Sequence, residues 1–246
     1  MQSRRVQLAF IGCGPLAILL FLIGWVVLAR YLPPIAPTAS AQQVADWYVM
    51  HTTTIRLGLF VSSIAMPLVI PFGIAIAVQF RASEGAVPIL TYGQVAFASL
   101  GAVVTVFTMM VWAVAAFRPS ETSPDITRML NDFGWFLFLF TWAPFSLWYV
   151  VIGVAILLDD NDGPALPRWA AYLNFWVAFL SIPAGLILFF KRGIFAFDGL
   201  LALWVPLVVF LIWIIAMTVV TTNSINRRSR ALELSRFGDV DRRHTC

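Results

Sequence analysis

The sequence predicts an all-α fold: a polytopic membrane helical bundle with six transmembrane helices plus a short outer interfacial helix. Three observations carry that expectation. Of the 246 residues, 61% are hydrophobic and only 11% are charged, where a soluble domain carries about 25% charged residues. The apolar residues gather into six segments, roughly 7–29, 55–80, 89–117, 133–158, 169–190 and 196–221, each close to the ~20 residues that a spanning helix needs. No ionisable side chain falls deep inside any of them. Residues 1–225 therefore read as a single transmembrane domain and residues 226–246 as a basic cytoplasmic tail.

Span one follows Arg4 and Arg5, and "ASA" stands at 39–41. That outline resembles a secretory signal. The apolar run 7–29 outlasts the about 7–15 residues of a signal core, however, and Ala41 lies well beyond its end, so an uncleaved span is expected. In the connector "RYLPPIAPTASAQQVADWYVMHTTT" (30–54) the prolines favour extended backbone. "SAQQVADWYVMH" then reads as a helix. Ser40 is its N-cap, and Val44, Trp47, Tyr48 and His51 recur at three- and four-residue spacing. Trp and Tyr suit the headgroup level, so this helix is expected to lie along the outer interface and feed span two.

Span two holds Pro67 and Pro71, four residues apart. Each removes a helical donor, freeing the carbonyls of Ser63 and Pro67 on one face. Two readings follow: a polar strip like those of broken transporter helices, or a kink repaired by Ser62, Ser63 or a neighbouring helix. Pro15, Pro144, Pro183 and Pro206 fall in four other spans. Span three alone lacks an interior proline, and its small face of Gly101, Thr105 and Thr108 suits close helix packing. Span four is expected to start near 124, about two turns before the membrane, with Ser123 as cap, Pro124 at the first helical position and Asp125 at the positive helix end. Spans two to five are expected to form the central bundle.

At the inner edge, "LLDDNDGPALPRW" reads as a solvated turn. Its D-D-N-D-G spacing is not that of an EF-hand and no closing Glu follows, so no metal site is assigned. Gln94 and Asn174 lie about a turn inside the bilayer and are the candidates for interhelical hydrogen bonds. Cys13 and Cys246 build neither a disulfide framework nor a metal site.

Orientation follows the Arg and Lys count. With the N-terminus inside, Arg4, Arg5, Arg81, Arg168, Arg227, Arg228, Arg230, Arg236, Arg242 and Arg243 are cytoplasmic, ten in all. Arg30, Arg56, Arg118, Arg128, Lys191 and Arg192 are outside, six in all. Both termini of a multi-pass cell-membrane protein are thus expected in the cytoplasm. The tail has no fold to position base contacts, so it fits anionic headgroups or plain solvent rather than nucleic acid.

The candidate ligand-binding residues share the outer side: Trp47, His51, Arg56, Arg128, Asp132 and Trp135, with Lys191, Arg192 and Asp198 nearby. Guanidinium groups above aromatic walls could take the polar head of a small hydrophobic or amphiphilic molecule, or of a lipid, in an intrabundle cavity open to the outer leaflet. The competing reading is interfacial anchoring with an Arg128–Asp132 surface pair. No His pair or Lys lies within the spans, and H-E-x-x-H, G-x-S-x-G and P-loop motifs are absent. No catalytic residue and no cofactor is assigned. A structural or accessory subunit bound to a membrane-protein partner is the alternative function, and a lipid-modifying enzyme a third.

Two stretches carry a family resemblance: "QQVADWYVMHTTTIRLGLF" (42–60), an outer helical segment entering span two through Arg-Leu-Gly, and "GVAILLDDNDGPALPRWAAYLN" (153–174), with an "LPR" turn opening span five. In these the chain resembles DUF4386-type bacterial proteins, six-span membrane proteins of unknown function, over residues 7 to 190. The aromatic fourth span and the long basic tail depart from that pattern. The family has no assigned catalytic residues, so the resemblance implies the fold and no site.

Overall fold

A computed structural model describes residues 4–81, 83–160 and 163–231 with their side chains. The expectations for Asp162 and for the tail beyond residue 231 lie outside the described residues. All elements are helical, and six of the helices are long and apolar enough to cross a membrane.

Span one is α1 (Gln2–Phe21), continued by a π-helical segment Leu22–Leu28. It ends at Arg30, whose φ of 58° turns the chain away, a conformation more often taken by Gly. α2 (Ala41–Ala65) starts at Ser40 with a complete capping box: the Gln43 N–H donates to the Ser40 hydroxyl, and the Ser40 N–H donates to the Gln43 side chain. The expected outer helix is thus present, but it runs into span two as one helix instead of lying apart in the interface. No Gly or Pro interrupts residues 41–57. The Thr52 and Thr54 hydroxyls donate to the Tyr48 and His51 carbonyls, so the polar "HTTT" run is satisfied within the helix.

A 3₁₀ turn at Met66–Leu68 then leads into α3 (Val69–Ala77). Span three is α4 (Ile89–Ala115), unbroken as its lack of interior proline implies. α5 (Pro124–Phe140) starts where expected, with the Ser123 hydroxyl accepting from the Ile126 N–H. Span four breaks at Thr141 before α6 (Trp142–Leu157), because Pro144 has no N–H for the Phe140 carbonyl and crowds it. Span five is α7 (Arg168–Ser181) followed by a 3₁₀ segment Ile182–Leu188 around Pro183. Span six opens π-helical at Leu200–Trp204 and continues as α8 (Val205–His244). α8 passes the expected 225/226 boundary without a break, and Ile225 is buried.

The spans stand in chain order round a ring. α1 packs on α3, α3 on α4, α4 on α5 and α6, α6 on α7, α7 on α8, and α8 closes the ring against α1. Spans two to five are therefore not a separate central bundle, since the first and last spans complete the wall. Arg4 donates to the Asn226 side-chain oxygen at 2.8 Å, fixing both terminal segments at one end of the ring. That terminal half has a core built around Phe72, Trp148, Trp213 and Met217. The far half has its own core around Trp25, Tyr31, Trp112 and Trp135. There spans one and two cross with backbones in contact. A Cβ on Gly58 would lie 2.2 Å from the Gly24 carbonyl oxygen, and one on Gly24 would lie 2.6 Å from the Gly58 carbonyl oxygen. No proline lies in Leu22–Leu28; the bulged segment coincides with this glycine crossing.

Candidate functional site

The six candidate binding residues do gather at the far end, but most are engaged in holding the fold. Arg56 donates from Nε to the Ala116 carbonyl at 2.9 Å and from a terminal nitrogen to the Phe117 carbonyl. It neutralises the C-terminal end of α4, where carbonyls lack helical donors and the dipole favours a cation. Its guanidinium also stands 5.8 Å from the Phe117 ring centre. Arg128 pairs with Asp125 at 3.1 Å rather than with Asp132. Trp135 is buried, stacking on Phe197 and meeting Trp112 edge-on. Trp47 and His51 lie together on α2, and His51 Nδ1 sits 2.9 Å from the Trp47 carbonyl one turn earlier.

Asp132 belongs to a hydrogen-bonded chain. Its carboxylate accepts from the Asn131 amide at 3.2 Å. The Asn131 oxygen accepts from the Tyr48 hydroxyl at 3.3 Å, and the Tyr48 and Tyr31 hydroxyls are 2.9 Å apart. With the Tyr48 proton directed at Asn131, Tyr31 is the donor to Tyr48, so every proton in the chain points toward Asp132. Tyr31, Tyr48 and Asn131 are all buried. Burial pushes the Tyr31 phenol well above its usual range, and neighbouring Tyr48 adds to the rise, so Tyr31 stays neutral. This chain ties the linker after span one and the start of α2 to α5. Sequence reading marks Asn131 only as part of the polar edge of span four and misses Tyr31, because nothing in residue spacing brings positions 31, 48 and 131 together.

Below this aromatic block, midway along the spans, lies a half-enclosed apolar cavity of about 100 Å³. Five spans change helical character at residues on its wall. Phe21 precedes the π-helical segment of span one, Met66 begins the 3₁₀ turn of span two, and Thr141 is the break in span four. Ala184 lies in the 3₁₀ segment of span five, and Leu203 in the π-helical start of span six. Straight α4 contributes Thr105. Four of the five irregularities lie beside a proline: Pro67, Pro144, Pro183 and Pro206. Those prolines were the legible signal; their convergence on one level was not. None of the six candidate residues named from the sequence lines this cavity, and no charged side chain does.

At the terminal end, the loop read as solvated is in part built inward. Asp159 is buried; its carboxylate accepts from the Ser83 hydroxyl at 2.9 Å and from the Ala165 N–H at 2.6 Å. Arg227 donates to the Pro164 and Ala165 carbonyls of the same loop. Asp160 is exposed, as expected. Of the two interior amides, Asn174 makes its interhelical bond, accepting from Trp213 Nε1 at 2.9 Å. Gln94, fully buried, has no partner for either polar atom among the described residues.

No protein family, no curated protein and no solved structure matches this chain.

Proposed function

We propose that this membrane protein binds a small hydrophobic molecule in the mid-span cavity. One observation carries the reading: five of six spans depart from α-helical geometry at residues lining a single apolar space. Irregular segments leave helical backbone groups unpaired and cost stability, and π-bulges cluster at functional sites. Broken helices at bilayer depth are tolerated where protein or a cavity surrounds them. The far-end arginines serve as helix caps and surface pairs, so the polar-mouth version of this reading has less support than the cavity itself.

The enclosed volume bounds the ligand. Drug-sized pockets span about 300–1,000 Å³, and an apolar cavity of about 150 Å³ holds one benzene. At about 100 Å³ this site encloses a short branched chain or part of a ring, with a larger molecule extending out of its open side. The same proposal puts the protein in the cell membrane with both termini cytoplasmic, on the imbalance of ten to six in Arg plus Lys, and keeps the DUF4386-type resemblance as its family.

Native mass spectrometry of the protein from mild detergent, with extraction of bound molecules, tests the reading. The expected result is one defined small molecule per chain that is lost in Ala184→Leu, which fills the cavity. Bare protein, or bulk lipids alone in both forms, would overturn it and favour the accessory-subunit alternative.

A further inference from the structure

We infer that the terminal end of the ring holds a groove for the phosphate of an anionic phospholipid headgroup, built along α8 with Arg4 of α1 at its edge. Asn223, Asn226, Arg227 and Arg230 line it. They stand at three- and four-residue spacing and so share one helix face. The groove measures about 420 Å³, within the about 300–1,000 Å³ of small-molecule sites, so a whole headgroup fits. Its depth points to lipid rather than to a soluble anion. The apolar stretch of α8 ends at Val220, three residues before Asn223, and Arg4 and Arg5 stand just before the apolar run of span one. Both walls therefore sit at the edge of the hydrocarbon, where lipid phosphates lie.

The hydrogen bonds leave this groove mostly donors. Arg4 donates from Nε at 3.3 Å and from a terminal nitrogen at 2.8 Å to one atom of the Asn226 side chain. A guanidinium only donates, so that atom is the amide oxygen, and the Asn226 N–H₂ is left for a ligand. Arg227 spends one terminal nitrogen on the Pro164 and Ala165 carbonyls, which fixes its guanidinium against the loop. Arg230 is exposed and has no hydrogen-bond or ion-pair partner among the described residues. Arg4 and Arg227 have no carboxylate partner among them either. The acids of this end are committed elsewhere: Asp159 to Ser83 and the Ala165 N–H, and Glu84 to the N–H groups that open α4. Three guanidiniums thus converge without a counter-charge, and their planar forks match phosphate oxygens.

Native mass spectrometry of the full chain in mild detergent tests the groove. The probes are dioleoyl-phosphatidylglycerol and dioleoyl-phosphatidylcholine, which share chains and phosphate and differ in net charge. The wild-type protein should retain one phosphatidylglycerol per chain, at least about tenfold in preference to phosphatidylcholine, as a groove of several arginines requires. Arg230→Gln removes a side chain without a protein partner, so the fold should stand. It should cut the preference about fivefold, the weight of one arginine at an anionic surface. Arg5→Gln removes the same charge from the same end but outside the groove lining, and should leave the preference unchanged. An equal loss in both variants would mean a diffuse basic field and overturn the groove, as would the absence of any preference in the wild type. Inorganic phosphate retained by the protein and not displaced by phosphatidylglycerol would overturn the lipid assignment in favour of a free anion.

Discussion

Where the termini meet, the spans are regular α-helices joined by polar side chains. Gln79 donates to Gln7 at 3.3 Å and accepts from Ser224 at 3.4 Å, Arg4 holds Asn226, and Asp159 collects the loop between spans four and five. From the cavity to the far end five of the spans are π-helical, 3₁₀ or broken, and the contacts are largely rings: Trp25, Tyr31, Trp112, Trp135 and Phe138 meet one another at centroid distances of 4.3–6.2 Å. Aromatic packing tolerates irregular backbone, because offset and edge-on geometries fit many separations. A hydrogen bond between side chains fixes a distance within a few tenths of an ångström. The contrast teaches that the chain spends its directional contacts on one end and leaves the other to shape, with the cavity at their boundary.

The largest way to break that contrast is at the glycine crossing. Gly58→Ala puts a methyl 2.2 Å from a backbone oxygen that cannot rotate away, so spans one and two must separate. We expect a loss of about 3 kcal/mol, the upper range for overpacking a tight contact, measured as unfolding in mild detergent. Gly12→Ala, at the other end and with open space around it, should be neutral or stabilising by about 0.5 kcal/mol as the better helix former. Equal effects at the two glycines would mean that the crossing does not fix the far half.

Next in size is Asn174→Ala, which deletes the acceptor of Trp213 Nε1 and leaves that buried N–H without a partner. The expected cost is about 2 kcal/mol. Gln94→Leu should move the other way, by about 1 kcal/mol of added stability, because an amide with both polar atoms unpaired gives up only its desolvation penalty when replaced by a hydrocarbon of similar size. Two amides of one half thus carry opposite signs. Destabilisation of the Gln94 variant comparable to that at Asn174 would show that Gln94 has a bonding partner after all and that the terminal half is more fully cross-linked than described.

How much of this was legible in the sequence divides along the same boundary. Helix starts were readable where local chemistry sets them, as at Ser40 and at Ser123–Pro124, since a cap and the donor it satisfies lie within three residues. The regular course of α4 followed from its lack of interior proline. Long-range choices were not readable. Arg56 turned to the end of α4, sixty positions away, because free carbonyls stood there, and Arg128 took Asp125 over Asp132 although both lay on its own helix face. Gln94 and Asn174 looked alike as polar residues a turn inside an apolar span. Only the arrangement of neighbouring helices gave Asn174 an indole N–H and Gln94 none.

The smallest expected effect sharpens the distinction between arginines that serve the fold and those that only mark its edge. Arg128 and Asp125 are 43% and 81% exposed along their side chains and sit three residues apart on one helix. Such a pair is worth about 0–0.5 kcal/mol, since solvent screens it and ordering two long side chains offsets the attraction. Arg128→Ala should therefore leave the unfolding transition within about 0.5 kcal/mol of the wild type. Arg56→Ala, which strips two terminal carbonyls of α4 of their donor, should cost about 1 kcal/mol. The two measurements together read the far end directly. If Arg128→Ala proved the more damaging, the polar contacts of that end would lie along α5 rather than at the end of α4, and the case for an arginine-lined mouth over the cavity would return.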